Sequence, residues 1–197
     1  MVWGLLKKRG EDAMKRFNAE ASGLNREDYE IIDIVTKLPH KILKHHEVPG
    51  LAHIVLHDLA HESGFGLEKA AYFVDNPDFD HMVGVAGFCK NECHLHKKNV
   101  WNEPHNFKQD MEQAEFNTII RGVFKNSFNK KHIDTHDFHE ISDLGQAVGI
   151  TNPSFFTWNM HHGNHGLLIF EPSKEISVWR HSLLSNVVAL LSMCGRH

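Results

Sequence analysis

The sequence predicts a mainly α-helical domain of the α+β class, with one β-hairpin near residues 155–170. Apolar residues recur at three- and four-residue intervals along most of the chain, which is typical of helices. Aromatic and branched residues flank a Gly-Asn-rich centre only at 155–170, which predicts the hairpin. The chain has 197 residues, of which 41 % are hydrophobic, so it is long enough to bury a core as a single domain spanning residues 1–197.

Capping and stop residues predict where the helices begin and end. Asn25 can cap the second helix, with Asp28 at its third position, and Pro39 is expected to end that helix. Gly149 is expected to stop the fifth helix. The first helix lies within residues 1–24, which we treat as a peripheral helix. Six segments carry such a pattern: residues 11–21, 25–38, 51–62, 106–127, 135–148 and 174–193.

The middle of the chain is less regular. Residues 67–75 are expected to form a further short helix because their apolar residues also recur at helical spacing. Residues 76–105 contain Pro77 and Pro104 as breakers, so we expect a long structured loop there. Long loops inside compact domains are often functional.

Charge and composition exclude several classes of partner. The net charge is −4 and no long run of Lys or Arg occurs, so the sequence shows no basic patch of the kind that binds nucleic acids. No stretch reaches the roughly 18 apolar residues that a spanning helix needs. The chain has three cysteines, an odd number that fits a reducing compartment. We therefore expect a soluble, cytoplasmic protein with no nucleic-acid and no membrane partner.

The stretch HIVLHDLAH places His53, His57 and His61 at four-residue intervals. Side chains at i and i+4 of a helix point the same way, so a pair of these imidazoles can supply two of the three or four ligands of a zinc or iron site. Asp58 and Glu62 lie between them and could orient the imidazoles or bind the metal. The alternative is a row of solvent-facing histidines on a polar helix face.

The same stretch resembles the histidine-aspartate dyad of HD-domain metal-dependent phosphohydrolases over about ten residues. The resemblance implies a helical fold in which His57 and Asp58 bind a metal with an earlier histidine and a later aspartate. The candidates for those two ligands are His40, His45 or His46, and Asp134, Asp137 or Asp143.

A second cluster, FCKNECHLH, offers four soft or borderline ligands within eight residues: Cys89, Cys93, His94 and His96. Pairs of such ligands two to four residues apart are typical of structural zinc sites, whose second pair comes from a distance. The alternative is a thiol-bearing loop with surface histidines.

Two further histidine clusters occur later in the chain. His132, Asp134 and a remote histidine have the ligand types of a non-haem iron facial triad, although the ordinary interpretation is a loop that leads into a capped helix. His161, His162 and His165 lie at the predicted hairpin tip, where they are either exposed or able to complete the first site.

These clusters predict a metal-binding protein with a divalent metal, most simply zinc or iron. If the protein is an enzyme, the expected chemistry is metal-dependent hydrolysis of a phosphoryl or acyl substrate. The ion lowers the pKa of bound water toward about 7, and Asp58 or Glu62 takes the proton as the catalytic base. The alternative is a non-catalytic sensor or interaction module whose histidines bind a metal or haem or respond to pH, and whose helices form a homodimer.

Overall fold

The structure is a computed structural model that describes residues 25–95, 100–128 and 137–194, without the side chains of residues 93–95. The helices are α1 (Arg26–Lys44), α2 (Leu51–Ala60), α3 (Pro104–Gln113), α4 (Glu115–Arg121), α5 (Phe138–Ala147) and α6 (Val178–Val187). The strands are β1 (Leu67–Asn76), β2 (His81–Cys89), β3 (Phe124–Lys125), β4 (Ser154–Asn159) and β5 (His165–Pro172). Short 3-10 helices lie at Pro77–Phe79, Lys90–Leu95, His161–Gly163 and Val188–Met193.

The five strands form one antiparallel sheet in the order β3-β2-β1-β5-β4. The prediction of a mainly α-helical domain with a single hairpin is therefore wrong, because the protein combines its helices with a five-stranded antiparallel sheet. Residues 67–75 form the central strand β1 instead of a helix, and the strand β2 lies within the expected loop at 76–105. Six consecutive residues of β1 are buried, so the strand lacks the alternation that marks a half-exposed strand.

The predicted hairpin is confirmed. β4 and β5 pair from Ser154 with Phe170 to Asn159 with His165. The connection between them contains His162 and Gly163, which both have positive φ angles of 59° and 69°.

Helix boundaries depart from the prediction where packing overrides local signals. The capping box of Asn25 and Asp28 is confirmed, but α1 continues through Pro39 to Lys44. The segment 106–127 divides at Ala114 into α3 and α4, and residues 174–193 contain the shorter helix α6. The helix expected at 11–21 lies outside the described residues.

The sheet separates two apolar clusters. One cluster packs α1, α2 and the C-terminal residues on the face of Tyr72 and Leu168, and the other packs α4 and α5 on the face of Phe73 and Leu167. Both faces of the sheet are covered, so the core consists of one apolar layer on each side of β1 and β5.

Two glycines of β2 let α4 approach the sheet closely. A Cβ at Gly84 would collide with the backbone oxygen of Ile120, and a Cβ at Gly87 would lie 2.8 Å from the Ile120 side chain. The register between β1 and β2 shifts at this place, since Tyr72 pairs with Ala86 and Phe73 with Gly84. The skipped residue Val85 forms a β-bulge, a feature that often lies beside functional sites.

Among the described helices, none is both long enough and apolar enough to cross a membrane.

Candidate functional site

The histidine-bearing helix α2 is buried on almost every side. Nine of its ten residues are buried, and His53 and His57 are only 9 % and 7 % exposed. The alternative of a solvent-facing histidine row is therefore wrong for these two residues. The three predicted ligands nevertheless lie in three different surroundings.

His57 lies among aromatic rings. Its ring meets Phe88 and Phe107 edge-on, with centroids 5.8 Å and 5.1 Å away, and stacks on His61 at 5.2 Å. In this arrangement the imidazole packs between β2 and α3.

His61 caps the C-terminal end of α2, where its Nδ1 accepts a hydrogen bond from the backbone N–H of Ser63 at 3.3 Å. A neutral imidazole that accepts at Nδ1 carries its proton on Nε2. Nε2 of His61 is therefore a donor in this geometry, whereas a metal ligand must present a lone pair.

His53 has the opposite arrangement. Its Nδ1 lies 3.2 Å from the carbonyl oxygen of Gly50, and since a carbonyl only accepts, Nδ1 must carry the proton. The neutral ring then presents a bare lone pair at Nε2. That nitrogen is buried and has no hydrogen-bond partner among the described residues.

The protonation of His53 is biased toward the neutral form. Burial is the largest effect and lowers the pKa of His53, while the Gly50 carbonyl opposes this shift and the Arg121 cation adds to it. Weaker contributions from the Asn117 side chain and Glu112 raise the pKa. An imidazole that stays neutral near neutral pH can act as a base, as a hydrogen-bond acceptor or as a metal ligand.

His53 opens onto a cleft of about 380 Å³ at the edge of β2. This volume lies at the small end of the range for ligand pockets. The cleft forms where α2 begins, where β2 bulges at Val85 and where α4 ends at Arg121. Its lining residues are Pro49, Gly50, Ala52, His53, Val83, Gly84, Val85, Lys108, Glu112 and Arg121.

The predicted catalytic carboxylates point elsewhere. Oδ2 of Asp58 forms an ion pair with Lys41 at 3.0 Å and accepts a hydrogen bond from Nε1 of Trp101. Glu62 is exposed and pairs with Lys90 at 3.0 Å. Asp58 thus contacts α1 and the segment at residue 101, and neither carboxylate lines the cleft of His53.

The cysteine-histidine cluster is described only in part. Cys89 is buried at the end of β2, and burial raises the pKa of its thiol. The side chains of Cys93 and His94 and the whole of His96 lie outside the described residues. Within the described part of the chain, no group of three or more His, Cys, Asp or Glu side chains converges as a metal site would require.

The two later histidine clusters are described only in part. His132, Asp134 and His136 fall outside the described residues. His165 shares the sheet face of Leu167, whereas α2 packs on the face of Leu168, so His165 cannot complete a site at His53.

His165 instead belongs to a buried polar network that the sequence did not indicate. Its Nδ1 lies 3.2 Å from Oδ1 of Asn159, and its cross-strand neighbour Asp75 accepts a hydrogen bond from Ser127 at 3.1 Å. Burial raises the pKa of Asp75. These residues connect β4, β5 and β1 at one end of the sheet.

The positions that the HD resemblance implies are also spread over the fold. His40 is exposed on α1, and the ring of His45 lies 5.5 Å from Trp101. Asp137 and Asp143 belong to the start and body of α5, which packs on the sheet face opposite α2. The resemblance remains a prediction.

The sequence pointed to His53 but missed the charged residues around it. Lys108 and Glu112 come from α3 and Arg121 from the end of α4. Each looks like an ordinary surface charge in the sequence, and only the close approach of α4 at Gly84 brings Arg121 to the cleft. The paired glycines at 84 and 87 were the one local signal of that approach.

Comparisons with protein-family models, curated proteins and solved structures found no match to this chain.

Proposed function

We propose that the protein is a hydrolase in which His53 acts as the general base in the cleft at the start of α2. The observation that carries this proposal is the His53 ring, which lines the cleft, is held by the hydrogen bond from Nδ1 to Gly50 and has no hydrogen-bond partner at Nε2 among the described residues. Hydrolysis needs a group that takes a proton from water at neutral pH, and a neutral imidazole is the most common such group in proteins.

The proposed reaction uses a phosphoryl or acyl substrate. Nε2 of His53 removes a proton from a water molecule while the water oxygen bonds to phosphorus or to the acyl carbon. The bond to the leaving oxygen breaks, and the imidazolium returns its proton to that oxygen. Arg121 and Lys108 line the same cleft and would stabilise the negative charge that develops on the substrate.

The test measures turnover of p-nitrophenyl phosphate and p-nitrophenyl acetate by native protein and by His53→Asn. Asparagine can keep the hydrogen bond to Gly50 but removes the Nε2 lone pair. We expect kcat/KM to fall by about 10²- to 10⁴-fold. His139→Asn is the matched control, because His139 is exposed on α5 and its loss should leave turnover unchanged.

The pH profile separates a base from a structural residue. Native kcat/KM should fall at acid pH with a midpoint below about 6.5, because burial lowers the pKa of His53. This acid limb should be absent in His53→Asn. The proposal is wrong if neither ester is hydrolysed by native protein, or if His53→Asn retains native turnover with intact folding.

Metal binding is the second candidate function. The hydrogen bond from Nδ1 of His53 to a backbone carbonyl is the arrangement that orients an imidazole for metal binding through Nε2. Elemental analysis of untagged protein tests it, with His53→Asn and His57→Ala as variants. Stoichiometric zinc or iron that is lost in the variants would support this candidate, and metal without turnover would favour a non-catalytic sensor.

A further inference from the structure

The tip of the β1–β2 hairpin and the neighbouring strand β3 carry aromatic rings that pack on one another in solvent. Phe79 and Phe124 are 75 % and 72 % exposed. The ring of His81 contacts both, with centroids 6.1 Å from Phe79 and 5.6 Å from Phe124, on which it stacks. We call these residues the aromatic ladder. Exposed apolar side chains that are scattered singly are ordinary, whereas a contiguous patch with a polar rim is typical of an interaction site.

The backbone holds the aromatic ladder in place. Nδ1 of His81 lies 3.3 Å from the carbonyl oxygen of Phe79 and donates to it, because a carbonyl only accepts. Phe124 belongs to β3, which pairs with β2 at Met82 and Val83. The positions of His81 and Phe124 are therefore fixed before a partner binds, which lowers the entropic cost of binding.

The polar residues beside the aromatic ladder are acidic. Asp78 and Asp80 flank Phe79 and are exposed, and neither forms an ion pair with a described residue. Lys125 follows Phe124 in β3, but neighbouring side chains of a strand alternate, so the lysine lies on the other face of the sheet. A guanidinium group stacks on aromatic rings and also pairs with carboxylates. The ladder and its two aspartates therefore suit an arginine side chain.

The position of Phe124 favours a partner with an extended backbone. β3 is the last strand in the order β3-β2-β1-β5-β4, so one of its edges has no strand partner within the described ranges. Both of its side chains are exposed. A peptide that pairs with such an edge places every second side chain on the face of the aromatic ladder. The side chain opposite Phe124 is then close enough to contact its ring.

We propose that the aromatic ladder and the edge of β3 bind an extended, arginine-containing segment of a partner protein. One arginine stacks on the face of the Phe124 ring that is turned away from His81. A second arginine, nearer the hairpin tip, pairs with Asp78 or Asp80. None of these residues lines the cleft of His53, so the inference is independent of the proposed function.

The test measures binding of a fluorescein-labelled peptide, Thr-Arg-Val-Arg-Thr-Arg-Val, by fluorescence anisotropy. Its β-branched residues favour an extended backbone. In the matched probe, citrulline replaces each arginine, which keeps the planar side chain and removes its charge. Native protein should bind the arginine peptide at least about tenfold more tightly, because each cation–π contact and each exposed ion pair contributes about two- to fivefold. Equal binding of the two peptides, or no binding of the arginine peptide at millimolar concentration, overturns the inference.

Two variants locate the binding site. Phe124→Ser and Asp80→Asn should each weaken binding of the arginine peptide by about two- to fivefold. Asparagine tolerates the left-handed backbone of Asp80, whose φ is 47°, and the melting temperatures of both variants should match that of native protein. The matched control is Val178→Ser, which removes an apolar side chain that is 88 % exposed on α6. Variants that bind like this control would contradict the proposed location.

Two further measurements test the other occupants of the aromatic ladder. If a second copy of the chain covers it, sedimentation velocity should show a dimer of native protein that Phe124→Ser abolishes. If a lipid surface covers it, native protein should float with phosphatidylcholine vesicles and Phe124→Ser should not. Either result overturns the inference, whereas a monomer that stays free of vesicles and binds the arginine peptide supports it.

Discussion

Oδ2 of Asp58 lies 2.5 Å from Nε1 of Trp101 and accepts its hydrogen bond. This hydrogen bond holds the segment at residue 101 against the second half of α2. The same oxygen pairs with Lys41 of α1 at 3.0 Å, and Nζ of Lys41 lies 5.1 Å from the centroid of the Trp101 ring. One carboxylate therefore joins three parts of the chain on the side of α2 that faces α1.

Replacing Asp58 should destabilise the fold. Hydrogen bonds to a charged group contribute about 1.5–3 kcal/mol, so we expect Asp58→Ala to lower the free energy of unfolding by about 2–3 kcal/mol in urea titrations. Asp33→Ala is the matched control, because its ion pair with Lys37 is exposed on α1 and such pairs contribute about 0.3–0.5 kcal/mol. Equal losses in the two variants would contradict a joining role for Asp58.

Arg180 and Asp28 form a buried ion pair, with side chains 11 % and 6 % exposed and Nη2 2.5 Å from Oδ1. Arg180→Met leaves a buried carboxylate that also belongs to the capping box of α1. We expect a loss of about 3–5 kcal/mol in unfolding free energy. Asp28→Asn and the double variant complete the cycle, in which additive losses would show that the two side chains do not interact. Arg26→Ala, an exposed arginine, should change stability by less than about 0.5 kcal/mol.

Gly84→Ala should disturb both stability and the cleft. The added Cβ collides with the backbone oxygen of Ile120, and overpacking of this kind costs typically about 1–3 kcal/mol. Gly122→Ala is the control at the end of α4, because its φ of −76° suits alanine and its nearest neighbours are 3.4 Å away. We expect Gly122→Ala to leave the melting temperature within a few degrees of native, while Gly84→Ala lowers both the melting temperature and the turnover of the two esters. The same melting temperature in both variants would show that α4 can move away from β2 freely.

The buried neutral His53 predicts a specific dependence of stability on pH. Its folded pKa is lowered, so the unfolded chain binds more protons than the folded chain between the folded value and about 6.5. The contribution of His53 is therefore fully present above about pH 6.5 and is lost as the pH falls toward the folded pKa. Unfolding free energies of native protein and His53→Asn, measured from pH 8 to pH 5, should converge in this window. A constant difference between the two curves would contradict a lowered pKa.

The features that could be predicted from the sequence are the local ones. The capping box at Asn25 involves residues three positions apart, and the hairpin at 155–170 brings together neighbouring segments. The helix at 51–62 also depends on its own residues. In these places the interactions that decide the structure lie within a few residues of one another.

The strands β1 and β2 could not be predicted in this way. The run LEKAAYFVDN is buried on both faces, and a short apolar run of this kind cannot be told from a buried helix by periodicity. Its hydrogen-bond partners include β5, which follows about 100 residues later in the chain. No local signal reports such a pairing.

In the candidate site, too, local features could be predicted from the sequence and non-local ones could not. The sequence identified His53 among the candidate ligands, but the direction of its ring depends on the Gly50 carbonyl, and its charged neighbours Lys108 and Arg121 come from α3 and α4. His57 and His61 follow His53 at four-residue intervals, yet their surroundings differ from those of His53. His57 packs among aromatic rings, and His61 caps the end of α2. Spacing along a helix predicted which residues share a face, but the role of each ring depends on non-local neighbours.

The central position of β1 also bears on how the chain folds during synthesis. One edge of β1 pairs with β2 soon after both strands emerge from the ribosome, but the other edge must wait for residues 165–172. During that interval an apolar strand has unpaired N–H and C=O groups, a state that favours aggregation and calls for chaperone protection. Any truncation that removes β5 should therefore yield an insoluble chain, even though α1, α2 and the first two strands are complete.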